Sequence, residues 1–212
     1  MWYITAALVL YAASIAAGIA GQALLSAVFG IGSTVAVATY LTKAHSLLVN
    51  LREKLWDRLA AVWLGGEYAA AIWLYVLSGV GAQILSVLLA GQLETLASTL
   101  PIGTVPNAAV DQEAFGKLLG VAALGLGVVG LALVWLASWA YLIELFTRDL
   151  YLIRAMAGVG TFKPYSATFY IILSIVTLGF LYFYWLYSVW RWISQLMSLT
   201  KSPPPSQDLV AT

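Results

Sequence analysis

Side chains able to carry covalent, redox or metal chemistry are scarce in this sequence, which has no cysteine and a single histidine, His45. Without cysteine there are no disulfides, thiolate nucleophiles, iron–sulfur clusters or thiolate-bound zinc. One histidine per chain also rules out bis-histidine haem ligation and multi-histidine copper or zinc sites within a subunit. His45 stands beside Ser46 and two residues after Lys43. No carboxylate or nucleophile lies at a spacing that would make a catalytic pair with it, so it reads as a histidine at headgroup level. Catalytic, cofactor-binding and metal-binding residues are therefore read as none, and the chain is expected not to be an enzyme.

Carboxylates and amines could instead move ions or protons if they lay inside a membrane span, where an ionised group is costly and is kept only for function. The ten Lys and Arg and nine Asp and Glu avoid such positions. They gather in islands, and the runs between them at 1–42, 68–93, 118–143 and 164–190 carry no charge. Glu67, Glu94 and Glu144 all fall near run ends, and Glu144 can pair with Arg148 across one helical turn. Tyr75, Ser78, Gln83 and Ser86 share roughly one side of the second run. They could line a polar path or serve as polar contacts between helices. Gly125-Leu-Gly127 neither follows a strand nor opens a phosphate-binding loop, so no nucleotide site is read there.

Two patterns concern packing. In the third run Gly116, Gly120, Ala123, Gly127 and Gly130 recur at intervals of three and four, which places them on one helix face. Lipid supplies no hydrophobic drive between helices, so close approach along small residues is a main source of packing energy. The seam is expected to receive another helix, from the same subunit or from a second chain. Near the end of the fourth run Tyr182, Phe183, Tyr184, Trp185, Tyr187, Trp190 and Trp192 crowd together. Tyr and Trp favour the headgroup boundary, so Tyr182, Tyr184, Trp185, Tyr187, Trp190 and Trp192 read as an interfacial belt. A stacking site for a quinone, haem or lipid tail is the alternative.

Thr177, Gly179, Tyr184, Trp185 and Tyr187 form a pattern of Thr-x-Gly, an aromatic stretch and Tyr-Trp-x-Tyr. Over about residues 163–192 this resembles the aromatic membrane helix of a domain family of unknown function found in small bacterial and archaeal membrane proteins. The resemblance implies a membrane helix and no known activity.

The elements that carry these residues follow from the charge pattern. The composition is 62% hydrophobic and 9% charged with mean hydropathy +0.92, whereas charged residues make up about a quarter of soluble domains. About 20 apolar residues of helix cross the roughly 30 Å hydrocarbon core, so each uncharged run is long enough. The fold class expected is all-α, a polytopic transmembrane helix bundle of four or five spans with no soluble domain. Residues 1–200 form the membrane domain, with spans at about 2–42, 68–92, 117–143 and 165–190. The first of these is either one long tilted helix or a hairpin turning near Gly18–Gly21 or Gly30–Ser33. Leu47, Leu51, Leu55, Leu59 and Val62 give segment 46–64 an amphipathic stripe, and Asn50 with Glu53 resembles a capping box at which a helix could restart. Residues 201–212 read as a proline-rich extended tail.

Lys and Arg in short loops resist translocation. Lys43, Arg52, Lys54, Arg58, Arg148, Arg154 and Lys163 form two basic islands, against only Lys117, Arg191 and Lys201 on the other side. This sets loops 43–66 and 147–163 in the cytoplasm of a cell membrane, with loop 94–116 and the C-terminal tail outside. The N-terminus is outside with four spans and inside with five. No basic residue precedes Lys43, so residues 1–42 are expected to stay on as membrane segment rather than act as a secretory signal. Net charge +1 lacks the basic face that phosphates require, so no nucleic acid is expected. The expected partners are membrane lipids and other protein chains or further copies, met through the transmembrane helices. The leading functional expectation is a non-catalytic structural or accessory subunit of a larger membrane assembly, such as an energy-converting complex, an appendage or secretion base, or a virus membrane particle. The alternative is a small channel or carrier for an uncharged solute or lipid. An integral-membrane enzyme using a partner's cofactor is the least supported.

Overall fold

The computed structural model describes residues 2–54, 67–99, 112–156 and 165–199, and every regular element among them is a helix. In chain order these are α1 (Trp2–Ile19), α2 (Ala23–Lys54), α3 (Glu67–Thr99), α4 (Gln112–Met156), α5 (Ala167–Val176) and α6 (Phe180–Leu199). Helices α1 to α4 are each long and apolar enough to cross a membrane. At 45 residues, α4 reaches about 68 Å, over twice the roughly 30 Å core.

The first uncharged run is two helices. α1 ends where Gly21 adopts φ 73°, the left-handed region open to glycine. Gln22 N–H then reaches back to Ala17 O at 2.9 Å and Gly21 N–H to Gly18 O at 3.1 Å, closing the helix end. The other candidate turn, Gly30–Ser33, lies inside α2, where the small residues admit neighbours instead. α2 also runs unbroken through Asn50, so no helix restarts at the apparent capping box. Its buried face is Leu41, Ala44, Leu48 and Leu51, of which Leu51 belongs to the expected stripe, whereas Leu47 is half-buried. The rest of the amphipathic segment (55–64), residues 100–111 of the 94–116 loop, Arg58, Lys163 and the 201–212 tail lie outside the described residues.

The expected single span over 165–190 is corrected: the chain breaks at Thr177–Gly179 into α5 and α6. Ser166 caps α5, accepting from Phe169 N–H at 3.3 Å. Leu178 and Gly179 take φ 51° and 88°, which reverses the chain. Tyr170 of α5 meets Trp192 of α6 with ring centroids 6.3 Å apart, so the two helices fold back on one another.

The contacts group into two compact units. One comprises Thr5–Ala38 and Trp73–Trp139, and its helices meet at small residues. Ser14 and Ser26 exchange bonds, each hydroxyl donating to the other's carbonyl at 2.8 and 2.9 Å. Ser33 donates to Ala7 O at 2.9 Å. Gly30 faces the Gln83 amide, Gly32 the Leu10 side chain, Gly79 the Trp135 indole and Gly81 Leu131. The second unit comprises Met1–Ile4, Thr39–Ile72 and Ala140–Thr212. Its core is built from Leu41, Leu48, Leu142, Phe146, Trp185 and Leu186, and it holds the polar cluster described next.

Candidate functional site

On α4, Leu142, Phe146, Asp149 and Ile153 recur at four, three and four residues, which puts a carboxylate on the same face as three buried apolar side chains. Asp149 is 1% exposed. An ionised carboxylate is tolerated at such a place only if its oxygens are bonded. Both are: Tyr68 O–H donates to Oδ2 at 2.7 Å, and Arg148 Nε–H donates to Oδ1 at 3.1 Å. The Arg148 side chain is 51% exposed, which leaves its charge open to solvent. The expected Glu144–Arg148 pair is thus replaced by one between sequence neighbours.

Tyr68, in the first turn of α3, is itself buried. The His45 ring from α2 stacks on one face with centroids 4.6 Å apart and planes 19° from parallel, and Phe146 meets it edge-on at 4.8 Å. His45 Nε2 is buried with no hydrogen-bond partner among the described residues. The imidazole packs beside a buried Tyr–Asp pair contributed by two other helices. Beside this pair Tyr141 O–H donates to Glu67 Oε2 at 3.2 Å.

A second set of polar ties joins the aromatic run of α6 to the same core. Trp185 is fully buried; its Nε1–H donates to Thr147 Oγ1 at 3.2 Å, its ring meets Phe146 edge-on at 6.1 Å, and Tyr182 stacks on it at 5.6 Å. Tyr40 O–H donates to Leu186 O at 2.7 Å. The belt is therefore two-faced. Tyr182, Trp185 and Trp192 are core residues, Tyr184 and Tyr187 are exposed, and Trp190 is half-buried. Of the described basic-island residues, Lys43 lies over the Tyr3 ring, 4.3 Å from its centroid, and bonds its hydroxyl at 2.8 Å. Arg148 serves Asp149, and Arg154 lies in the last turn of α4. Arg52 and Lys54 lie in the final turn of α2.

In the other unit the small-residue seam is mostly open. Among the described residues nothing lies within 4 Å of a side chain built at Gly116, Gly120 or Gly130, while Gly127 receives Leu85 Cδ1 at 3.0 Å. Of the polar residues of α3, Ser78 and Ser86 donate to Leu74 O and Ala82 O of their own helix at 2.6 and 2.7 Å. Tyr75 stacks on Trp135 at 5.6 Å.

Among the described residues no three His, Asp or Glu side chains come together to hold a metal ion. The cluster fastens three helices through the Tyr68–Asp149 bond and the ring contacts of His45 and Phe146 with Tyr68. Tyr68 and Asp149 were not singled out from sequence because 81 residues separate them. The helical register linking Leu142, Phe146 and Asp149 was the available signal. No family model matches the chain, and neither a curated protein nor a solved structure matches it.

Proposed function

We propose that this chain is a non-catalytic integral membrane protein, a structural or accessory subunit that packs against other chains in a larger membrane assembly. The observation that carries the reading is the open seam on α4: Gly116, Gly120 and Gly130 present a close-packing face that side chains of the described residues leave empty. Small residues at regular spacing are what membrane helices use to meet one another. The polar cluster supports the non-catalytic part. Its buried carboxylate ties α4 to α3 through Tyr68, and its other oxygen is bonded by the neighbouring Arg148 of the same helix, an arrangement suited to a structural tie. Crossing by α1 to α4 brings the N-terminus and the islands at 43–58 and 148–163 to one face. The surplus of Lys and Arg makes that face the cytoplasmic side of a cell membrane, with the 100–111 loop outside and lipid around the remaining apolar surface.

A photo-crosslinking residue placed at Gly120 or Gly130 in intact membranes tests this. The subunit reading expects a protein adduct at these positions and a lipid adduct from a control position such as Leu133. Lipid adducts alone at all three, together with solute flux from vesicles holding only this chain, would favour the channel or carrier.

A further inference from the structure

The α5–α6 hairpin exposes apolar side chains where a water-facing turn would carry polar ones. Val176 is 72% and Leu178 74% exposed, and Ile175 and Phe180 flank them. Leu178 moreover holds φ 51°, a conformation that glycine or asparagine adopts at less cost. A strained leucine directed into water would gain nothing for that strain.

The backbone of the turn is arranged for an apolar medium. Every N–H from Thr177 to Tyr182 donates within the hairpin. Thr177 N–H reaches Leu173 O at 3.0 Å, Leu178 reaches Ile175 O at 3.1 Å and Gly179 reaches Ser174 O at 2.7 Å. Phe180 reaches Thr177 O and Tyr182 reaches Gly179 O, both at 3.1 Å. Leu181 N–H is taken by Thr177 Oγ1 at 3.1 Å, and that hydroxyl donates in turn to Leu173 O at 2.8 Å. One threonine side chain thus closes the end of α5 and opens α6. Irregular backbone is excluded from hydrocarbon because its donors go unmatched, and here none does.

The dimensions agree. α5 has 10 residues, or about 15 Å, half of the roughly 30 Å hydrocarbon thickness. Counting the same distance up α6 from the turn reaches Trp190-Arg191-Trp192, and Tyr165 stands at the start of α5. Trp190-Arg191-Trp192 on one arm and Tyr165 on the other thus lie about equally far from the turn, whose exposed large side chains, Ile175, Val176, Leu178 and Phe180, are apolar.

We propose that α5, the Thr177–Gly179 turn and α6 form a re-entrant hairpin whose tip, centred on Leu178, is immersed in the acyl chains of one leaflet and whose two arms return to the same membrane face. The inference rests on the membrane reading above. It moves Arg191 and Lys201 to the side of the two basic islands, leaving Lys117 as the one Lys or Arg of ten on the far side. The strength of that bias is an independent consequence of the hairpin.

The absence of native cysteine permits single-cysteine tests on the full chain in vesicles of mixed phosphatidylcholine and phosphatidylglycerol. L178C is expected to resist a charged maleimide supplied on both sides, and a nitroxide there to collide readily with oxygen and rarely with a charged nickel chelate. Y165C and S198C are expected to label from the same side. V176C serves as the second tip position should L178C fail to fold. Rapid maleimide labelling at the tip would overturn the proposal. So would a nitroxide shielded from both oxygen and nickel, which marks a covering protein, or labelling of Y165C and S198C from opposite sides. L126C, on the exposed apolar face of α4, separates the two readings: charged-reagent labelling there removes the membrane reading itself, whereas protection at 126 with labelling at 178 removes only the hairpin.

Discussion

Tyr68 donates its hydroxyl proton to Asp149 across 2.7 Å, joining the first turn of α3 to the charged end of α4 with both partners buried. The pair turns an isolated buried carboxylate, which would destabilise the fold, into a tie between helices far apart in sequence. Arg148 completes it by bonding the second oxygen from the solvent side.

A double-mutant cycle on this pair has a definite expected result. Y68F leaves one carboxylate oxygen unmatched and should cost about 1–3 kcal/mol, as for hydrogen bonds to charged groups. D149N should cost a similar amount, and the double variant less than the sum of the two. Unfolding by denaturing detergent, followed by tryptophan fluorescence, measures all three. Strict additivity would show that the bond contributes nothing.

His45 offers a sharper contrast between packing and chemistry. Its ring stacks on Tyr68, while its Nε2 is buried without a hydrogen-bond partner among the described residues. H45F keeps the stack and removes the unmatched atom, so stability should hold or rise slightly. H45A should lose roughly 0.5–1.5 kcal/mol of aromatic contact plus the cavity left behind. A phenylalanine variant markedly less stable than wild type would mean that the imidazole nitrogen has work to do.

The glycines divide into packed and open positions, and substitution should separate them. A methyl on Gly79 would sit 2.8 Å from Trp135 Cδ1 and 3.2 Å from Thr34 Cγ2. G79A should therefore destabilise the isolated chain by about 1–3 kcal/mol. G120A meets nothing among the described residues and should leave the isolated chain unchanged or stabilise it by up to about 1 kcal/mol, the helical preference of alanine over glycine. Equal effects at both positions, measured in the same detergent, would contradict the packing described.

The hairpin turn depends on two residues for different reasons. T177V removes a hydroxyl that bonds both helices, and should cost about 1 kcal/mol as for other helix caps. G179A forces a side chain into φ 88° and should cost about 1–2 kcal/mol. Both changes should lower the thermal unfolding midpoint without altering helix content at low temperature. Loss of helix content in either variant would instead mean that the turn nucleates the whole unit.

The sequence made the long helices legible because charge and hydropathy act over the same length as a membrane span. The turn at Gly21 was legible as one of two choices, since its glycine could not be ranked above Gly30 and Gly32. Tertiary packing made that choice: Gly30 and Gly32 are needed inside a helix to admit Gln83 and Leu10. The break at Thr177–Gly179 was hidden because it contains no Pro, Asn or Asp and its residues are as apolar as a span. Its cue, a glycine just past an apolar helix, is a helix-end signal that an average over the run erases. The Tyr68–Asp149–His45 cluster was not legible at all from spacing, because three separate helices supply it. Only the register of Asp149 with Leu142 and Phe146 marked it as inward-facing.

The proposal that the chain serves a larger assembly is tested most directly by its composition in native membranes. Extraction in mild detergent, followed by mass measurement of the intact particle and its separated subunits, should find the chain with other subunit types in fixed ratio. G120L should release it from that particle while leaving its own helices folded. Recovery as a single species of one subunit type, active alone in passing an uncharged solute across vesicles, would contradict the account.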